Sequence, residues 1–136
     1  MLPSFTIAYG CVLVMALLPV VCAGIAKSGM MRTPAGEGGY DNEDPRHWLL
    51  RQTDWRARAN NAQGNTFEAL PFFFAAVIIA HQLQASQGRV DVLALAFVVL
   101  RLLYVAAYVA NKANLRSVIW MLAVLANVAI LFAGFR

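Results

Sequence analysis

Four stretches of nearly continuous apolar sequence, 5–26, 66–82, 91–110 and 115–135, take up most of this 136-residue chain. Crossing the hydrocarbon core of a bilayer as helix takes about 20 residues, and each stretch approaches that length. Hydrophobic residues make up 60% of the chain and charged residues 13%, about half the charged share of a soluble domain. The sequence therefore predicts an all-α integral membrane four-helix bundle formed as a single domain. No stretch remains for a separate soluble domain, so the connections carry any aqueous chemistry.

Within the first span, Cys11 and Cys22 read as packing residues, because neither oxidant nor metal reaches that depth. His47 and His81 stand far apart without a cysteine or carboxylate cluster at ligand spacing, so no metal site is predicted. A signal-peptide reading of residues 1–23 is disfavoured. The leading MLPSFT has no Lys or Arg, and the apolar run exceeds the roughly 7–15 residues of a signal core. Pro19 is expected to kink this helix, since proline removes a backbone bond and crowds the preceding turn.

Basic residues set the orientation. Lys27, Arg32, Arg46, Arg51, Arg56 and Arg58 lie between the first two spans, and Lys112 and Arg116 in the third connection; Arg89 and Arg136 lie on the other side. The positive-inside rule puts both termini outside and the loop 27–50 in the cytoplasm; the expected location is an inner membrane with both termini periplasmic. The net charge of +4 is thus a topology signal, and no nucleic-acid partner is implied. The Gly- and Pro-rich loop reads as irregular and mobile. From Trp48 the pattern reads as continuous helix through Gly64 and Pro71, and Trp48, Trp55 and Trp120 read as interfacial belt residues.

Polar stripes mark three of the helices. At 100° per residue Arg58, Asn61, Asn65 and Glu68 fall within an arc of about 80° on the second. Arg101, Tyr104, Tyr108 and Asn111 share a face of the third, and Arg116, Trp120 and Asn127, with Ala123 between, a face of the fourth. Arg101 lies about 15 Å into its span, near the midplane, where a charge costs at least about 2.5–3.5 kcal/mol. Glu68 lies at similar depth. The expectation is a Glu68–Arg101 pair with Asn65 and Tyr104 completing its hydrogen bonds. Such groups serve packing register as well as ligand binding, and interfacial arginines and tyrosines also act as anchors. The residues alone leave both roles open.

The motif N-x-x-E-x-x-P at Asn65, Glu68 and Pro71, preceded by Arg58, and R-x-x-Y-x-x-x-Y at Arg101, Tyr104 and Tyr108, followed by Arg116, resemble the MAPEG family of membrane-associated proteins in eicosanoid and glutathione metabolism. The resemblance spans nearly the whole chain. It implies a homotrimer with glutathione as cosubstrate in a cleft between protomers, and a hydrophobic small molecule arriving from the membrane lipids. By the same resemblance Arg58, Asn65 and Glu68 hold the tripeptide's charged ends, Arg101, Tyr104 and Tyr108 line the pocket, and Arg116 is the catalytic cation that stabilises the thiolate. Eicosanoid-pathway members carry a second arginine where this chain has Asn61, with Lys27 a candidate replacement; the spacing from Tyr108 to Arg116 also differs from the eukaryotic enzymes. Two functions follow: a glutathione-dependent transferase or peroxidase, or a non-catalytic trimeric scaffold, lipid-binding or accessory protein. A transporter ranks below both, because neither a string of ionisable groups nor a repeat is visible.

Overall fold

The computed structural model describes residues 4–135. Its long helices are α1 (Ile7–Lys27), α3 (Asp54–Gln82), α4 (Gln87–Val109) and α5 (Ala113–Leu131), and a short α2 (Pro45–Leu50) precedes α3. Among the described residues the four long helices are each long and apolar enough to cross a membrane. They run up and down in turn. The end holding the C-termini of α1 and α4 and the N-termini of α3 and α5 is called the loop end below. α3 and α4 form the central pair, each packing on the other, on α1 and on α5. At about 1.5 Å per residue, the 29-residue α3 is some 43 Å long. That exceeds a bilayer core of about 30 Å, so its loop-end part carries polar sequence beyond the apolar zone.

The buried seam of α1 is Ala8, Cys11, Met15, Leu18, Cys22 and Ala26, a three-and-four spacing that keeps one face on its neighbours. Opposite it, α3 offers Ala59, Ala62, Ala76 and Ala80, all fully buried. Small side chains let helix backbones approach closely, which drives helix association where lipid is as apolar as the core. Phe73 of α3 and Phe97 of α4 stack with ring centroids 4.4 Å apart. Large apolar residues such as Leu13, Leu17, Val99 and Leu122 are exposed on the outside, as a lipid-facing surface requires. α1 and α3 run without interruption through Pro19 and Pro71.

Neighbouring elements close the helix ends. Asp91 of α4 accepts from the Ala8 amide at 2.9 Å and from Gln87 Nε2 at 2.8 Å, placing a carboxylate on one of the free N–H groups at the start of α1. At the loop end Arg56 of α3 donates Nη1 to the carbonyls of Ala26 (2.8 Å) and Ser28 (2.7 Å), closing α1.

The connection between α1 and α2 is irregular in backbone, as expected, but is tied together by side chains. Tyr40 meets buried Trp48 edge-on at 5.2 Å, Lys27 Nζ lies 4.4 Å from the Tyr40 ring centre, and the Tyr40 amide donates to Met30 O at 3.0 Å. Trp48, read as a belt residue, is thus the small core of this connection. The helix read as continuous from Trp48 breaks at 51–53. Gln52 folds its side chain back onto Trp48 O at 2.9 Å, Thr53 is extended, and α3 starts afresh at Asp54. Replacing Asp91 with Ala is expected to cost about 1–3 kcal/mol and Asp91→Asn less, since the amide keeps an acceptor; thermal unfolding in detergent, followed by helical circular dichroism, measures both.

Candidate functional site

The polar residues of α3, α4 and α5 converge toward the loop end. Arg101 is 1% exposed, and its Nη2 donates to Asn65 Oδ1 at 3.0 Å and to Thr66 Oγ1 at 3.2 Å. Asn65 Nδ2 in turn donates to Glu68 Oε2 at 3.2 Å, and Thr66 donates its hydroxyl to Ala62 O at 2.7 Å. The expected direct Glu68–Arg101 pair is therefore replaced by a relay through the Asn65 amide, which accepts on one side and donates on the other. Helix geometry accounts for the difference. Thr66 and Glu68 point about 160° apart around α3, so a guanidinium seated against residues 65 and 66 faces away from Glu68. Glu68 itself is exposed on the surface of the protomer.

The tyrosines continue this network. The Arg101 guanidinium carbon lies 4.3 Å from the Tyr104 ring centre, Tyr104 meets Tyr108 edge-on at 5.7 Å, and the Arg116 guanidinium carbon lies 4.3 Å from the Tyr108 ring centre. Cations on ring faces are attracted by the ring quadrupole. Arg116 reaches Tyr108 because α4 turns tightly into α5. Asn111 takes a left-handed conformation (φ 59°), which asparagine tolerates better than most residues, and the Lys112 amide closes onto Ala107 O at 2.9 Å. Asn111, expected on the polar face of this helix, therefore forms the turn beyond it.

Three spaces surround these side chains. A groove of about 800 Å3 runs along the loop-end part of α3, past Asn61, Gln63, Asn65 and Glu68, with Arg46 of α2 on one side and Tyr104 and Tyr108 on the other. A recess of about 250 Å3 is lined by Asn65, Tyr104, Tyr108, Arg116, Ser117 and Trp120. A cavity of about 210 Å3 lies deeper between α3, α4 and α5. Of the predicted site residues, Asn65, Glu68, Arg101, Tyr104, Tyr108 and Arg116 line one or more of these spaces, and Asn65 lines all three. Arg58 lines none of them; its Nε donates to Val109 O at 3.0 Å, closing the end of α4 as Arg56 closes α1. Lys27 is engaged with Tyr40.

Three contributors were not singled out as site residues from the sequence. Thr66 follows the motif asparagine and shares Arg101, and a hydroxyl at the start of the second apolar stretch was its only signal. Arg46 and Ser117 reach the spaces through the fold of α2 and the tight turn before α5. Trp120, read as a belt residue, walls both the recess and the cavity while 40% exposed. No cluster of His, Cys, Asp and Glu suited to a metal is present among the described residues.

These features define an integral membrane protein whose helices enclose a polar site opening toward one end of the bundle. A family model described as the MAPEG family matches residues 7–136. The chain belongs to the MAPEG family, whose members act in eicosanoid and glutathione metabolism. No curated protein and no solved structure matches the chain.

The relay has a direct test. Thr66→Val, which removes a buried partner of a charged group, is expected to cost about 1–3 kcal/mol. Glu68→Gln, which keeps an acceptor for Asn65, is expected to change stability by less than about 1 kcal/mol. Paired thermal unfolding of the two variants checks this; a larger loss for Glu68→Gln would point to a direct pair.

Proposed function

We propose that the protein is a membrane-bound, glutathione-dependent transferase or peroxidase that acts on hydrophobic electrophiles. The observation carrying this reading is Arg116, held over Tyr108 in a recess that adjoins the groove through Asn65, Tyr104 and Tyr108. The polar groups of the groove suit a tripeptide with one ammonium and two carboxylates. Glu68 offers a carboxylate to an ammonium group, whereas Asn61, Gln63, Asn65 and the tyrosine hydroxyls offer donors to carboxylates and peptide carbonyls. Its volume of about 800 Å3 lies within the range of about 300–1,000 Å3 common for ligand sites.

Bound glutathione supplies the thiol that attacks the electrophile. The chain supplies the setting. Arg101, committed to Asn65 and Thr66, fixes the polarity of the Asn65 amide and so acts as a positioning residue. Arg116 provides the cation near the sulfur. A free thiol with a pKa of about 8.5 is only a few per cent ionised at pH 7, and lowering it by about two units raises the thiolate fraction about 25-fold. Arg58, which closes α4, contributes by holding Tyr108 and the turn that follows.

The assembly proposed is a homotrimer in the inner membrane, with both termini periplasmic and the loop end cytoplasmic. Exposed Asn61 and Glu68 on α3 support coverage by a second copy, because a carboxylate facing lipid costs several kcal/mol. The excess of Lys and Arg at the loop end supports the orientation. A non-catalytic scaffold or lipid-binding protein is the second reading. It is favoured by the engagement of Arg58 and Arg101 in helix closure and packing.

Glutathione titrated into the purified protein is expected to give saturable heat at millimolar concentrations, together with thiolate ultraviolet absorbance at neutral pH. Arg116→Ala should abolish that absorbance and lower conjugation to a lipophilic electrophile by at least about tenfold, with affinity changed much less. An absence of saturable binding in the parent protein would refute the enzyme reading and leave the scaffold.

A further inference from the structure

The groove along α3 is lined by one cation and one carboxylate, Arg46 of α2 and Glu68 of α3. Other basic side chains of the loop end are committed elsewhere: Lys27 lies over Tyr40, Arg56 closes α1, Arg58 closes α4 and Arg116 lies over Tyr108. Among the described residues Arg46 is exposed and has no hydrogen-bond or ion-pair partner, while its neighbour His47 meets Asp44 at 3.3 Å.

Its placement follows from the packing of a six-residue helix. At 100° per residue, Trp48 points about 160° away from Arg46 around α2, whereas Leu49 lies within about 60° of it. Trp48 is 3% exposed and meets Tyr40 edge-on at 5.2 Å, so burying that ring in the connection turns the opposite face, Arg46 with Leu49, to the groove. Pro45 at the start of the helix and the Asp44 side chain, which accepts from the His47 amide at 3.4 Å, fix where the turn begins. The Gln52 side chain on Trp48 O fixes where it ends. A charged side chain without an internal partner is thereby held at the groove wall.

Distance and charge narrow what it meets. Asn61 stands about 10 Å along α3 from Glu68 toward the loop end, at about 1.5 Å per residue, and α2 enters from that end. An extended three-residue peptide also spans about 10 Å. With the ammonium of glutathione on Glu68, its middle residue falls level with Asn65, which also lines the recess of Arg116, and its far end, the glycine carboxylate, reaches the level of Asn61. A guanidinium there binds a carboxylate through two parallel N–H donors and carries the charge that the Asn61 amide lacks.

We propose that Arg46 binds the terminal glycine carboxylate of glutathione, which makes the connection between α1 and α3 part of the binding site. This assignment rests on the groove being the glutathione site. It gives Arg46 the selection of a tripeptide with a free terminal carboxylate over one in which that carboxylate is blocked.

The test is calorimetric titration of the full chain in detergent with glutathione and with its glycine ethyl ester, which keeps the ammonium, the thiol and the other carboxylate. The parent protein is expected to bind glutathione about tenfold more tightly than the ester, as loss of one charge-assisted bond at an open site allows. Arg46→Gln should weaken glutathione about tenfold and leave the ester unchanged, so that the two ligands bind alike, and Arg46→Lys should restore part of the preference. Arg51→Gln removes the same charge from the end of α2, outside the groove lining, and should retain the preference in full. Helical circular dichroism confirms that each variant is folded. Saturable glutathione binding by the parent that Arg46→Gln leaves unchanged overturns the proposal while the groove stands as the glutathione site. An equal loss in Arg46→Gln and Arg51→Gln, the mark of a diffuse field, overturns it too. No saturable binding of either ligand by the parent refutes the glutathione site itself, and the role of Arg46 with it.

Discussion

The burial of one guanidinium organises this bundle. Arg101 sits in the contact between α3 and α4 at a depth where an unpartnered charge is not tolerated, and its bonds to Asn65 and Thr66 lock the register of the two central helices. Because the partners are neutral, the positive charge is spread rather than cancelled. The Tyr104 ring face and, through Asn65, the Glu68 carboxylate share it. The continuation through Tyr104 and Tyr108 to Arg116 then extends one electrostatic network from the interior to the loop end.

A second theme is that helix ends are closed by side chains from other helices. Asp91 serves α1, Arg56 serves α1 at its far end, and Arg58 serves α4. In a bundle whose outer surface is apolar, these contacts put directional bonds where dispersion alone gives little specificity. They also restrict how far α1 slides against α3 and α4, and how far α4 slides against α3.

Much of the architecture was legible from the sequence because bilayer thickness turns apolar run length directly into helices. The family motifs were legible because their spacing keeps Asn65 and Glu68, and Arg101, Tyr104 and Tyr108, on single faces. What the sequence obscured was pairing. The rise per residue places Glu68 and Arg101 at similar depth but does not say which side of α3 the guanidinium approaches, and Thr66 decides that. The break at 51–53, the buried position of Trp48 and the closing role of Arg58 all depend on contacts between segments distant in sequence, which periodicity does not encode. Asn127 was visible as a polar residue on one face of its helix, but its burial emerged only once α4 and α5 were packed.

Asn65 lines the open groove, the recess beside Arg116 and the deep cavity alike. A single primary amide therefore borders three spaces of different polarity, one with mixed polar and apolar walls and one walled largely by apolar side chains. A group held in the groove and a group held in the cavity would thus both meet the same amide.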